Sequence, residues 1–169
     1  MTRQPKWALL AAALVLGTPA GAQELVFNLY HTQSCLDAAP DPAAQRACIG
    51  ASANACMSAT GMGGTTIGMS GCIDRELGYW DGRLNDSYQR LRARERSEDA
   101  GYGGAAGYVS QADALRDMQR AWIAFRDATC AYERAQWGGG TGGGPATVGC
   151  LMRMTGEQTL YLEQMAVDY

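Results

Sequence analysis

Residues 110–137 read SQADALRDMQRAWIAFRDATCAYERAQW, and their spacing decides the class of fold. Leu115, Met118, Trp122, Phe125, Thr129 and Tyr132 recur at steps of three, four, three, four and three. That period lays one apolar stripe along a helix. Ser110, with Asp113 three residues on, makes a capping-box-like start. The helix is expected to end at Trp137, before the run Gly138-Gly139-Gly140-Thr141-Gly142-Gly143-Gly144-Pro145.

Working outward, a last helix is expected from about Ala146 to Val167, with Leu151, Met154, Gln158, Leu162 and Met165 on one side. Upstream, Ile73, Leu77, Trp80, Leu84, Tyr88 and Leu91 form a second stripe, on a helix from near Thr66 to about Ser97. Gly78 and Gly82 lower its propensity by roughly 1 kcal/mol each and are read as places where a neighbouring helix comes close. Arg90, Arg92, Arg94 and Arg96 sit in its last turns, where cations suit the helix dipole. Asp41-Pro42, an N-cap acid before a first-turn proline, opens one further helix running to about Met57. No strand-like alternation competes. The chain reads as all-α, a small bundle of long antiparallel helices.

The beginning of the chain carries an address. Arg3 and Lys6 precede the apolar run Trp7 to Leu16, and Ala20-Gly21-Ala22 makes an A-x-A cleavage site before Gln23, the layout of a secretory signal peptide. The run is about ten residues, against the roughly 20 needed to span a bilayer. No Cys follows the cleavage point, so the chain is read as periplasmic or secreted, with no membrane anchor after cleavage near Ala22-Gln23. Residues 23–55 are read as an N-terminal segment and first helix, residues 56–169 as the main helical domain, and 23–169 as one folded unit. Beyond residue 22 the chain holds 12 Arg, no Lys and 17 acids, a formal balance of −5. That balance argues against nucleic acid as a partner and suits a basic protein.

All six cysteines, Cys35, Cys48, Cys56, Cys72, Cys130 and Cys150, lie beyond the leader. An even count in an exported chain implies three disulfides. There is no C-x-x-C pair and only one histidine, His31, so a metal cluster is not expected. Fifteen connectivities are open. Helix geometry favours adjacent pairing: Cys130 and Cys150 come at similar heights across a helical hairpin, Cys56 and Cys72 bracket the other glycine-rich turn, and Cys35 and Cys48 remain.

The stretch from Cys56 to Leu162 resembles the LprI-type lysozyme-inhibitor family. The resemblance rests on Cys56 and Cys72, Trp80-Asp81, Leu84-Asn85-Asp86-Ser87-Tyr88, Gln119-Arg120-Ala121-Trp122, Phe125-Arg126-Asp127-Ala128-Thr129-Cys130, then Cys150-Leu151 and Thr155. It implies an exported helical domain and, as partner, lysozyme or a related muramidase.

Most of those motif residues read as scaffold. Leu84, Tyr88, Trp122 and Phe125 lie on the apolar stripes, which predicts core packing. Asn85, Arg126 and Asp127 are read as a hydrogen-bond network that holds the helices in register. The partner-binding candidate is the loop Gly138, Gly139, Gly140, Thr141, Gly142, Gly143 and Gly144, narrow enough to enter a cleft. Lysozyme's cleft is lined by two catalytic carboxylates, and an inhibitor blocks it by filling it. The alternative is a periplasmic interaction module that leaves lysozyme unaffected. No cofactor is expected. The nucleophile-base pair, metal set or paired acids of a hydrolase find little support, since Asp113 and Asp117 at i, i+4 read as a solvated helix face.

Overall fold

The computed structural model describes residues 24–102 and 107–168. The leader and its cleavage point lie outside the described residues. Within them the chain is all helical: α1 (Tyr30–Ala38), α2 (Pro42–Ala47), α3 (Ala51–Ala59), α4 (Thr66–Gly101), α5 (Gln111–Ala135) and α6 (Gly143–Asp168). The three long helices form the bundle. Hydrogen bonds from Thr159 Oγ1 to the Trp80 carbonyl, and from Arg94 to the Ala166 carbonyl, show that α4 and α6 run side by side in the same direction. The α5 helix runs antiparallel to both.

The expected helix from Asp41 to Met57 is two helices. Asp41 caps α2, its Oδ1 accepting the Ala44 amide at 2.8 Å. The chain then turns through Gly50 at φ +98°, a left-handed conformation that favours glycine. Helix α1 was not legible as a helix. It is short, Leu29 at its N-terminal cap position makes no side-chain cap, and its place is held by tertiary bonds.

Those bonds converge on Glu76, a carboxylate with no solvent exposure. Its Oε1 accepts the Gly50 amide at 2.8 Å, the Thr32 hydroxyl at 2.9 Å and the Trp80 indole N–H at 3.1 Å. Its Oε2 accepts the Ala53 amide at 2.7 Å. Gly50 has no side chain with which to cap α3, so Glu76 supplies the cap from α4, where a negative charge also suits the α3 dipole. Thr32 completes the arrangement by accepting the Ser52 amide, while its own amide donates to Ser52 Oγ.

Packing follows the stripes on α4. Leu84 and Leu91 meet Leu115 and Leu162, with Tyr88, Met118, Trp122 and Met165 against them. Trp80, fully buried, packs with Ala53 and Met152 under the short helices. Gly78 and Gly82 face open space, so no helix approaches them. Cys35–Cys48 ties α1 to the end of α2, Cys56–Cys72 ties α3 to α4, and Cys130–Cys150 ties α5 to α6. Each closes a short loop, a constraint worth about 3 kcal/mol in the chain-entropy account.

The α4 helix continues past Ser97 because Asp99 is anchored to the start of α5. Its carboxylate accepts the Ser110 and Tyr108 hydroxyls and the Gln111 and Ala112 amides. The Ser110 and Tyr108 bonds chiefly hold its pKa at about 2, below the usual 3.8. A folded-state pKa below the unfolded one gives stability that is present above pH 3.8 and lost as pH falls through about 2. Thermal melts of Asp99→Asn should therefore lie below those of the native chain at pH 7, with the gap closing between pH 4 and 2. Replacing Glu76 by Ala strands four buried donors and should cost at least about 3 kcal/mol in urea denaturation.

Candidate functional site

Cys130 and Cys150 lock the α5–α6 hairpin near its turn. Beyond them the chain does not form a long loop. It winds a tight turn, with the Gly140 amide on the Trp137 carbonyl at 2.8 Å and the Gly143 amide on the Gly140 carbonyl at 3.1 Å. Gly138 and Gly139 have φ of +53° and +86°. Gly142 lies against the Trp137 ring so closely that a Cβ there would come within 2.2 Å of it. Of the expected loop, Gly138 to Gly142 make this turn, while Gly143 and Gly144 open α6.

The result is a structured tip with exposed aromatics. Trp137 is 53% exposed and Tyr132 68%. Arg134 lies beside the glycines on the wall of a hollow of about 250 Å³ and makes no ion pair among the described residues. Near the same end of the bundle a cleft of about 330 Å³ is lined by Asp74, Leu77, Gly78 and Asp81 of α4, Arg126 of α5 and Leu151 of α6. Arg126 is paired with Asp127 at 2.9 Å. Asp74 and Asp81 have no ion-pair partner among the described residues, so the cleft is locally acidic.

The α5 helix is rotated relative to the stripe expected from its sequence. Ala112, Leu115, Gln119 and Cys130 are buried, and Trp122 and Arg126 half-buried, whereas Phe125 is 63% exposed. The buried face is turned roughly 70° from the expected one, taking 3.6 residues per turn. Covalent and polar bonds set that rotation. Cys130 is bonded to Cys150, Gln119 accepts from Gln158 Nε2 at 3.0 Å, and Arg126 donates to Thr155 Oγ1 at 3.4 Å. Phe125 and Tyr132 are thereby swung away from the core, and core packing does not account for them.

The polar motif residues divide. Arg126 does join helices, through buried Thr155, and it lies 5.0 Å over the Trp122 ring. Asp127 is exposed, and among the described residues its side chain bonds only this arginine, its neighbour. Asn85 is also exposed and donates to Asp81 on its own helix at 3.2 Å, so neither residue holds two helices in register. Sequence reading missed Glu76, because an acid on an apolar stripe carries no local sign of the amides that will meet it. It missed the acidic cleft too, because Asp74 and Asp81 gain their setting only from α5 and α6.

His31 is exposed on α1. Among the described residues no group of three or more His, Cys, Asp or Glu side chains is placed to hold a metal, and no helix is long and apolar enough to cross a membrane.

The fold and this surface define a disulfide-braced helical protein that presents an aromatic tip beside an acidic cleft. The sequence model of the family described as lysozyme inhibitor LprI matches residues 56–162, and the chain belongs to that family. It is similar to an uncharacterised 17.7 kDa protein of Rhodobacter capsulatus, 32% identical over 159 residues that cover 93% of this chain and 95% of that one. It is also similar to an uncharacterised protein of Rhizobium meliloti (strain 1021), 30% identical over 95 residues that cover 56% of this chain and 68% of that one. No solved structure matches it significantly.

If Phe125 and Tyr132 are surface groups, Phe125→Ser and Tyr132→Ser should each change stability by no more than about 0.5 kcal/mol. Trp80→Ala should cost about 3–5 kcal/mol in the same denaturant titration.

Proposed function

We propose that the protein is an exported inhibitor that binds a c-type lysozyme or related muramidase and occludes its cleft with the α5–α6 tip. The observation that carries this reading is the tip itself: an exposed tryptophan beside a glycine turn, with Arg134 at the end of α5 making no ion pair among the described residues, all braced by Cys130–Cys150. Gly138 to Gly142 have no side chains apart from that of Thr141, so the turn is narrow enough to enter a substrate groove. Arg134 would face the two catalytic carboxylates of such an enzyme, and Trp137 would provide the kind of aromatic anchor that dominates protein interfaces. Asp74 and Asp81 would meet the basic rim, steering encounter by long-range attraction. Family membership supports the same partner, and pre-organisation of the tip reduces the ordering cost of binding.

The test is lysis of cell-wall substrate by lysozyme, titrated with the oxidised protein lacking residues 1–22. Inhibition at submicromolar concentration is expected, weakening as salt is raised. Trp137→Ala and Arg134→Glu should each weaken it by about tenfold or more, the Arg134 substitution with its melting curve unchanged. No inhibition by correctly folded protein would overturn the reading in favour of an envelope interaction module with another protein partner.

A further inference from the structure

We propose that a second cleft, at the other end of the bundle, binds a short amphipathic helix that carries apolar anchors and a Lys or Arg. The last turns of α4, the first turns of α5 and the end of α6 do not close on one another. They leave an opening of about 520 Å³, within the size range of pockets that hold ligands. Leu115 and Trp137 are 22 positions apart on α5 and its following turn, which separates this cleft from the glycine tip by roughly 33 Å at 1.5 Å per residue.

The floor is apolar. Leu91, Leu115 and Leu162 are buried, and Met118 and Met165 line the walls. Unbranched thioether side chains repack readily, which suits a surface that must receive side chains of varied shape.

The rim supplies the sign of the charge. Arg94, its one cation, is already engaged. It donates to Glu95 Oε1 through Nε at 3.2 Å and Nη2 at 2.7 Å, and to the Ala166 and Met165 carbonyls at 3.0 and 3.3 Å. Glu98, exposed and one turn further along α4, makes no ion pair among the described residues. The charge left over is therefore negative, above an apolar floor. Leu91, Glu95 and Glu98 follow i, i+4, i+7 spacing, so floor and rim extend together along about two helical turns. A helix docking in this groove would place apolar anchors on the floor and a cation one turn away, against Glu98. The proposal does not depend on lysozyme inhibition, since it concerns the far end of the molecule.

The experiment is a fluorescence-anisotropy titration of the oxidised protein with a labelled peptide of about 14 residues, a Leu/Lys amphipathic helix. Saturable 1:1 binding is expected. Glu98→Lys, and Ala114→Trp on the exposed cleft wall, should each weaken it by about tenfold. Asp37→Lys, the same charge change on exposed α1, should leave it within about twofold. No saturable binding by the native chain would overturn the proposal. So would an equal loss with Asp37→Lys, which would mean general acidity, or indifference to both cleft substitutions in proteins with native melting curves.

Discussion

The carboxylate of Glu76 is the constraint on which the N-terminal half of the molecule depends. A buried charge is tolerable only when its oxygens are met by donors, and here four donors from three parts of the chain converge on it: Thr32 of α1, Gly50 and Ala53 at the start of α3, and Trp80 of α4. The turn at Gly50, the start of α3 and the seat of α1 all follow from satisfying that group. Cys35–Cys48 and Cys56–Cys72 surround the same cluster, so covalent and polar constraints act on the same three short helices. The long helices provide the apolar surface against which this assembly rests.

The two ends of the bundle are built differently. At the α5–α6 turn the chain is closed tightly by a disulfide, a wound turn and Trp137 against Gly142. At the other end the helices stand apart over an apolar floor, although Asp99 pins the α4–α5 connection. The rigid end presents its aromatic and cationic groups to solvent. The open end keeps its apolar groups recessed beneath an acidic rim.

The long helices were readable because their signals are local. Apolar periodicity, the Ser110 cap and the glycine breaks each act within a few residues, and α4, α5 and α6 lie where those signals place them, with α4 and α5 starting as expected and the α6 start and the ends of α4 and α5 shifted by a few residues. The rotation of α5 was not readable in the same way. Its sequence carries apolar residues on two adjoining faces, and periodicity alone favours the one with Phe125 and Tyr132. Gln119, Arg126 and Cys130 select the other, because each has its partner on α6. A polar residue whose partner lies 20 to 40 positions away leaves no local mark.

What the sequence by itself determined was the helical class, the extents of the long helices and the membership announced by pieces such as Gln119-Arg120-Ala121-Trp122 and Phe125-Arg126-Asp127. These depend on backbone propensity and on patterns within one element. Tertiary structure alone decided the break at Gly50, the burial of Glu76, the outward turn of Phe125 and Tyr132, the winding of the glycine run into a compact tip and the placing of Arg126 and Leu151 in one cleft with Asp74 and Asp81. Each of these is a choice between conformations or faces that are nearly equal in local energy. The balance is tipped by a hydrogen bond, a disulfide or a packing contact that exists only when distant segments have come together.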